Sequence, residues 1–270
     1  MRAKKSLGQN FLADDNIAAR IVREFAPRAG ETIIEIGPGR GALTRHLVGH
    51  ACRLIAIELD RDLISPLQAR FGGRGDFKVV EADALEVELC REIEPASAAR
   101  VIANLPYYIS TAILQRLLAQ RRCLTELVLM LQREVVERIT ARAGDSERGY
   151  LSVLVEAYCE AEKLFEIAPG AFRPTPKVWS AVVRLRLRPH AAPGDITDEA
   201  LFRLVVSAGF AQRRKTIFNN LRNAPEELEG RIRVTGGADR LLERAAIAPH
   251  RRAETLTLAE WKNLTTGLID

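Results

Sequence analysis

The four residues Asn104-Leu105-Pro106-Tyr107 follow the apolar run Val101-Ile102-Ala103 and bring together an amide, a backbone carbonyl, a rigid ring and an aromatic face. That set suits an exocyclic amine on a planar heterocycle. The lone pair of such a nitrogen is delocalised into the ring, so it is a weak nucleophile. Accepting both amino hydrogens favours a pyramidal nitrogen and aims its lone pair at an electrophile. The side-chain oxygen of Asn104 can take one hydrogen and the carbonyl of Leu105 the other, with Pro106 stiffening the turn. Tyr107 offers a ring for stacking. No strong general base is needed, because the proton can leave after the nitrogen has become a cation, and most of the rate comes from positioning. The motif therefore points to methyl transfer onto a planar amine of adenine, cytosine or an amide, and away from hydride transfer.

The electrophile needs its own site. Gly37-x-Gly39-x-x-Ala42 lies in EIGPGRGALT, after an apolar run and before a helical stretch, where missing side chains let a ligand approach the backbone. This pattern alone admits nicotinamide or S-adenosylmethionine. Glu58 lies about twenty residues on, where a carboxylate can accept from a ribose diol. Asp83, after FKVVEA, is placed to accept from an adenine amine. Combined with the chemistry expected of Asn104, S-adenosylmethionine is the cofactor favoured. Far along the chain Phe172 sits in the proline-rich stretch PGAFRPTPKVWSAV, able either to close over a flipped base opposite Tyr107 or to be a core residue.

These groups require strand ends that converge. TIIEI, RLIAIEL, FKVV, RVIAN and ELVLML alternate with segments of helix length, which predicts an α/β fold with a parallel, Rossmann-like sheet whose carboxyl ends share one crevice. Asp14 or Asp15 can cap a helix running to Phe25. LQREVVERITA and GYLSVLVEAY have helical spacing. In SAVVRLRLR, the alternation of Ala181, Val183, Leu185 and Leu187 with Val182, Arg184, Arg186 and Arg188 predicts a half-exposed strand with a solvated arginine face. RPHAAPGD, residues 188–195, reads as a linker. The expected domains are thus 1–190, catalytic and cofactor-binding, and 191–270, small and all-helical.

With a net charge of +5, the chain leans towards an anionic partner. Residues 201–222 carry Arg203, Arg213, Arg214, Lys215 and Arg222 with no acid, a surface that should attract phosphates. Cys52, Cys90, Cys123 and Cys159 form no C-x-x-C pair and are expected to be reduced core thiols, and neither they nor the four histidines have metal-ligand spacing, so no metal is expected. No apolar run is long enough for a membrane span and the amino terminus lacks the apolar segment of a signal peptide, which leads us to expect a cytoplasmic protein. Nothing suggests obligate dimerisation, so a monomer is expected.

Beyond these readings, the sequence resembles the small-subunit ribosomal RNA adenine dimethyltransferases. The likeness rests on Gly8-Gln9-Asn10-Phe11-Leu12, EIGPGRGALT, Ile57-Glu58-Leu59-Asp60, EADAL, NLPY, the Phe172–Ser180 loop and QRRKTIFNNL, all in family order and spanning nearly the whole chain. The resemblance implies transfer of four methyls from S-adenosylmethionine to two adjacent adenosines in a hairpin loop near the 3′ end of small-subunit RNA, within an immature 30S particle. It implies cofactor contacts at Asn10, Leu12, Gly37, Gly39, Glu58, Asp83 and Asn104, and RNA phosphate contacts at Arg213, Arg214 and Lys215, to which the charge run adds Arg222. Two other roles accompany it: an assembly-checkpoint protein for which binding is the main act, and a large-subunit adenine methyltransferase conferring antibiotic resistance. The chain departs from the family pattern at Trp179, where an acid is usual, and at Glu156, where glutamine is more usual.

Overall fold

In the computed structural model, residues 9–50, 52–188 and 196–269 are described; residues 189–195 of the expected linker, and Gly8 of the first motif, lie outside them. The chain divides into two compact units, Met1–Val136 with Glu160–Pro189, and Glu137–Cys159 with His190–Asp270.

The strands are β1 (Phe11–Leu12), β2 (Thr32–Ile36), β3 (Arg53–Glu58), β4 (Phe77–Glu81), β5 (Ala99–Asn104), β6 (Leu124–Gln132), β7 (Cys159–Ile167), β8 (Phe172–Arg173) and β9 (Ser180–Leu187). Seven of them form one sheet in the order β4-β3-β2-β5-β6-β9-β7, while β1 and β8 pair separately. Strands β2 to β6 run parallel, and β9 is antiparallel to β6. Every residue of β2 is buried, as expected for a parallel strand covered on both faces. The chain steps outward from β2 through β3 to β4 and returns to β5 on the other side of β2. The strand order reverses there, which opens a crevice at the carboxyl ends of β2 and β5.

Four helices flank these strands: α1 (Asp15–Phe25), α2 (Thr44–Leu47), α3 (Arg61–Phe71) and α4 (Leu89–Glu92), followed by α5 (Ser110–Ala119). Asp14 caps α1 by accepting from Asn16 N at 2.9 Å and Ile17 N at 3.2 Å, and Ala18, Ile21, Val22 and Phe25 bury its apolar stripe.

Two expectations need correction in this unit. The arginine face of β9 is only partly solvated: Arg186 is exposed, but Arg184 is largely covered. Arg184 Nη1 donates to Glu162 at 3.0 Å and Nη2 to the Glu24 carbonyl at 2.6 Å, and Val182 is fully buried. The cause is the position of β9 inside the sheet: Glu126 of β6 and Glu162 of β7 come from neighbouring strands and pair with Arg184 and Arg186. Cys90 and Cys123 were expected as thiols but are joined in a disulfide, with Cα atoms 5.5 Å apart where α4 meets the turn before β6. Cys52 and Cys159 are buried free thiols.

The second unit contains α7 (Tyr150–Tyr158), α8 (Glu199–Gly209), α9 (Ile217–Arg222), α10 (Glu226–Val234), α11 (Ala238–Arg244) and α12 (Leu258–Thr266); α6 (Arg133–Ile139) crosses the division. Segment 137–159, assigned from sequence to the catalytic part, falls here because α7 buries nearly all its side chains among its helical neighbours α8 and α12. Trp261 is fully buried and stacks on Phe210 at 5.5 Å. An added Cβ at Gly209 would lie 2.3 Å from the Trp261 ring, so a side chain there is excluded by packing.

Glu156 has a local reason. Arg148 is fully buried, and its Nη2 donates to Glu156 Oε2 at 2.6 Å while its Nη1 donates to the Ala141 carbonyl at 3.1 Å. Glu156→Ala is expected to cost about 1–3 kcal/mol, because it leaves a buried cation without its counter-charge and with one acceptor fewer, whereas Glu156→Gln keeps that acceptor and should cost less. Denaturant titration of both variants checks the order.

Candidate active site

The carboxyl ends of β2, β3 and β5 and the residues after β4 line one cleft of about 800 Å³ including its open mouth. Gln9, Asn10, Gly37, Gly39, Glu58, Asp83, Asn104, Leu105, Pro106, Tyr107 and Tyr108 all face it. Of the residues singled out from sequence, Asn10, Gly37, Gly39, Glu58, Asp83, Asn104, Leu105 and Tyr107 are brought together here.

The glycine loop leaves β2 with Gly37 at φ +65° and Gly39 at φ +58°, a left-handed conformation that side chains resist. A Cβ on Gly39 would sit 3.1 Å from the Phe11 ring, and one on Gly37 3.8 Å from the Asn104 carbonyl. The loop therefore packs against both the amino-terminal segment and the end of β5. Glu58, 6% exposed, accepts from Gly39 N at 3.0 Å and Asp60 N at 2.8 Å, one donor for each carboxylate oxygen. Burial pushes its pKa up while these N–H groups oppose the rise. Each oxygen retains a lone pair for a ligand hydroxyl. Asp83 Oδ1 accepts from Leu85 N at 2.8 Å, which fixes the carboxylate at the cleft wall.

Asn104 ends β5, and its Nδ2 donates to the Asn10 carbonyl at 3.3 Å. That bond sets the amide rotation and assigns the other amide atom, Oδ1, as the acceptor available to a ligand. The backbone N–H of Leu105 donates to Met130 O at 3.2 Å, tying the first residue after β5 to β6. The Tyr107 hydroxyl shares a 2.6 Å hydrogen bond with Ser180 Oγ. Burial pushes the phenol pKa up, so Tyr107 stays neutral and serves as an aromatic wall. Its partner at the start of β9 was not evident from sequence.

The amino-terminal segment crosses the cleft. Gln9 Nε2 donates to Asp60 Oδ2 at 2.9 Å, the Arg40 guanidinium lies 4.5 Å over the Phe11 ring, and β1 pairs with β8 in the register Leu12↔Phe172. Leu12 is buried and lines a smaller cavity beneath the glycine loop rather than the main cleft. Phe172 is fully buried in the hydrophobic core and does not line the cleft. Of its two possible roles, the structure assigns the core one: Phe172 holds β8, and through it β1 and Asn10, in place.

Sequence reading passed over Glu35. It is 1% exposed beneath the glycine loop, accepts from Thr44 Oγ1 at 2.7 Å, and burial pushes its pKa up to about 7. An acid inside the apolar run TIIEI was the available signal. Because the folded state holds this proton more tightly than the unfolded chain, Glu35 lowers stability progressively as pH rises from about 4.5 to about 7. The cost should reach about 3 kcal/mol above that window. Glu35→Gln is expected to flatten this part of the stability profile, which thermal unfolding at pH 5 and pH 8 measures as a wild-type-minus-variant difference.

In the second unit, Arg213, Arg214, Lys215 and Arg222 are exposed. The first three occupy a turn before α9 rather than a helix face; Arg213 donates to the Ser146 carbonyl, and Arg222 lies over Phe218 at 5.6 Å.

The family model of ribosomal RNA adenine dimethylase matches residues 1–264. The chain is 43% identical to the ribosomal RNA small subunit methyltransferase A of Saccharophagus degradans, covering 99% of this chain and 95% of that protein. It is also 43% identical to the protein of that name from Methylococcus capsulatus, over 98% and 97% of the two chains. Among solved structures, a dimethyladenosine transferase from Plasmodium falciparum aligns with TM-score 0.77 at 24% identity over 94% of this chain and 95% of its own, and supports the fold. The 23S rRNA methyltransferase ErmE aligns with TM-score 0.68 at 26% identity over 97% and 100%. A full-length match of this kind, on a cleft that joins a glycine loop to an Asn-Leu-Pro-Tyr strand end, places the chain in the ribosomal RNA adenine dimethylase family.

Proposed function

We propose that this protein is an S-adenosylmethionine-dependent RNA methyltransferase that converts two adjacent adenosines of small-subunit ribosomal RNA to N6,N6-dimethyladenosine, acting as a cytoplasmic monomer on an immature 30S particle. The carrying observation is the Asn104 amide, anchored by its nitrogen to the Asn10 carbonyl in the cleft that also holds Gly37, Gly39 and Glu58. The 43% identity over nearly the full chain to proteins named for the small subunit, against 26% to ErmE, supports the small-subunit target. No helix among the described residues is long and apolar enough to cross a membrane.

The residues fit the cofactor. Glu58 would meet the ribose hydroxyls and Asp83 the adenine amine, and the side-chain-free surfaces of Gly37 and Gly39 would admit the methionine portion beside Asn10. When bound, S-adenosylmethionine supplies a methyl group made electrophilic by a positively charged sulfur. The chain's own work lies on the other reactant. Tyr107, braced by Ser180, stacks on the extruded adenine. Asn104 Oδ1 and the Leu105 carbonyl accept the two N6 hydrogens, draw the nitrogen out of conjugation and hold its lone pair in line. The methylated nitrogen is cationic, and the same two acceptors stabilise that charge until its proton leaves to water. After the first transfer only one N6 hydrogen remains, so one acceptor is enough for the second and the other must tolerate a methyl group.

The test is incubation with labelled S-adenosylmethionine and small subunits lacking these methyls, followed by nucleoside analysis. The expected product is N6,N6-dimethyladenosine in small-subunit RNA at up to four methyls per particle; labelling of large-subunit RNA instead would overturn the target.

A further inference from the structure

The Tyr107–Ser180 hydrogen bond has an exposed aromatic residue beside each partner. Tyr108 is 59% exposed and lines the cleft, and Trp179 is 45% exposed immediately before Ser180. The backbone of Trp179 is held, since its carbonyl accepts from Arg133 N at 2.9 Å, yet its large apolar ring has no place in the core. The segment leading to it, Arg173-Pro-Thr-Pro-Lys177-Val178-Trp179, is almost wholly exposed and carries two cations and no acid. Arg173 Nη1 donates to the Gly170 carbonyl at 2.9 Å and the Phe172 carbonyl at 2.8 Å, which orients its guanidinium at the base of this segment. Val178 is also exposed, at 38%.

A tryptophan left nearly half exposed costs solubility and forgoes much of the packing its ring could give. Here it directly precedes Ser180, whose hydroxyl holds the Tyr107 wall of the cleft, in an exposed segment that also carries Arg173 and Lys177. That is the combination by which single-stranded RNA is held: a ring for the base face and a cation for the phosphate.

We propose that Trp179 is a positioning residue for RNA: the base adjoining the target adenosine stacks on its indole while Lys177 pairs with the neighbouring phosphate. The inference rests on the methyltransferase reading above and adds a subsite to it. Stacking outside the reacting slot contributes to binding and to presentation of the target, and leaves the cofactor untouched.

The experiment has a kinetic and a spectroscopic arm. Methylation kinetics on small subunits lacking the methyls are expected to show KM raised about tenfold in Trp179→Ala, with kcat and S-adenosylmethionine affinity within about twofold of wild type. Trp179→Phe should restore most of the loss, and Lys177→Ala should lower the salt dependence of RNA binding by about one ion. The chain has two tryptophans, and Trp261 is fully buried, so the solvent-quenchable emission belongs to Trp179. A short hairpin RNA with two adjacent adenosines in its loop should quench that emission in the wild type and leave Trp179→Phe unchanged. A wild-type KM in Trp179→Ala, or emission unaffected by saturating hairpin, would overturn the proposal. Were the wild type to methylate no ribosomal RNA, the parent reading would fall, and the fluorescence arm would still decide whether RNA seats on Trp179.

Discussion

Asn104→Ala is expected to lower kcat about 10²–10³-fold while leaving the Kd for S-adenosylmethionine within a few fold. The magnitude is that of one positioned hydrogen-bonding group acting where charge develops. The variant loses the acceptor for one N6 hydrogen, and the adenine nitrogen keeps more of its conjugation in the ground state. Cofactor affinity is largely spared, since Glu58, Asp83 and the glycine loop do not depend on the amide. Asn104→Asp separates the two functions of the side chain. A carboxylate can accept the N6 hydrogen, but it cannot donate to the Asn10 carbonyl and is repelled by it, so the side chain loses the bond that sets its rotation. Its activity should also fall well below wild type. Single-turnover methylation gives the chemical step, and calorimetric titration with the cofactor gives the affinity.

Glu58→Ala is expected to act on the opposite term, weakening cofactor binding about 10²–10³-fold. Two charge-assisted hydrogen bonds to a ribose diol contribute about 1.5–3 kcal/mol each, of which part is recovered by water entering the enlarged site. The substitution also leaves Gly39 N and Asp60 N without their acceptor, which loosens the glycine loop. Glu58→Gln keeps one acceptor and should fall between. Isothermal titration across the three proteins orders them, and kcat at saturating cofactor should change far less than Kd, in contrast to Asn104→Ala.

Much of this site was legible from local pattern. Strands that are buried on both faces leave continuous apolar runs, so β2, β3 and β5 declared themselves, and the residues after each run had to converge on one crevice. Gly37, Glu58, Asp83 and Asn104 were reachable by that reasoning alone. Contacts between distant segments were not. Tyr107 meets Ser180 across 73 residues, and nothing in either neighbourhood marks the pair. Phe172 has the same composition around it whether it faces a ligand or the core; only the β1–β8 register decides, and it puts the ring inside. The arginines of β9 alternate like a wetted strand, yet Glu126 and Glu162 arrive from neighbours that sequence does not order. Cys90 and Cys123 are brought together in the same way, by the approach of α4 to the turn before β6. Segment 137–159 joined the second unit because α7 is apolar nearly all round and needed helices from elsewhere to cover it.

The central claim is that an anchored carboxamide oxygen and the adjacent backbone carbonyl together take the hydrogens of the amine to be methylated. Its most direct test is a crystal structure of the protein with an adenosine-containing RNA and S-adenosylhomocysteine. The account predicts N6 within about 3 Å of both Asn104 Oδ1 and the Leu105 carbonyl, with the purine stacked on Tyr107. An adenine seated with N6 hydrogen-bonded to neither atom would contradict it.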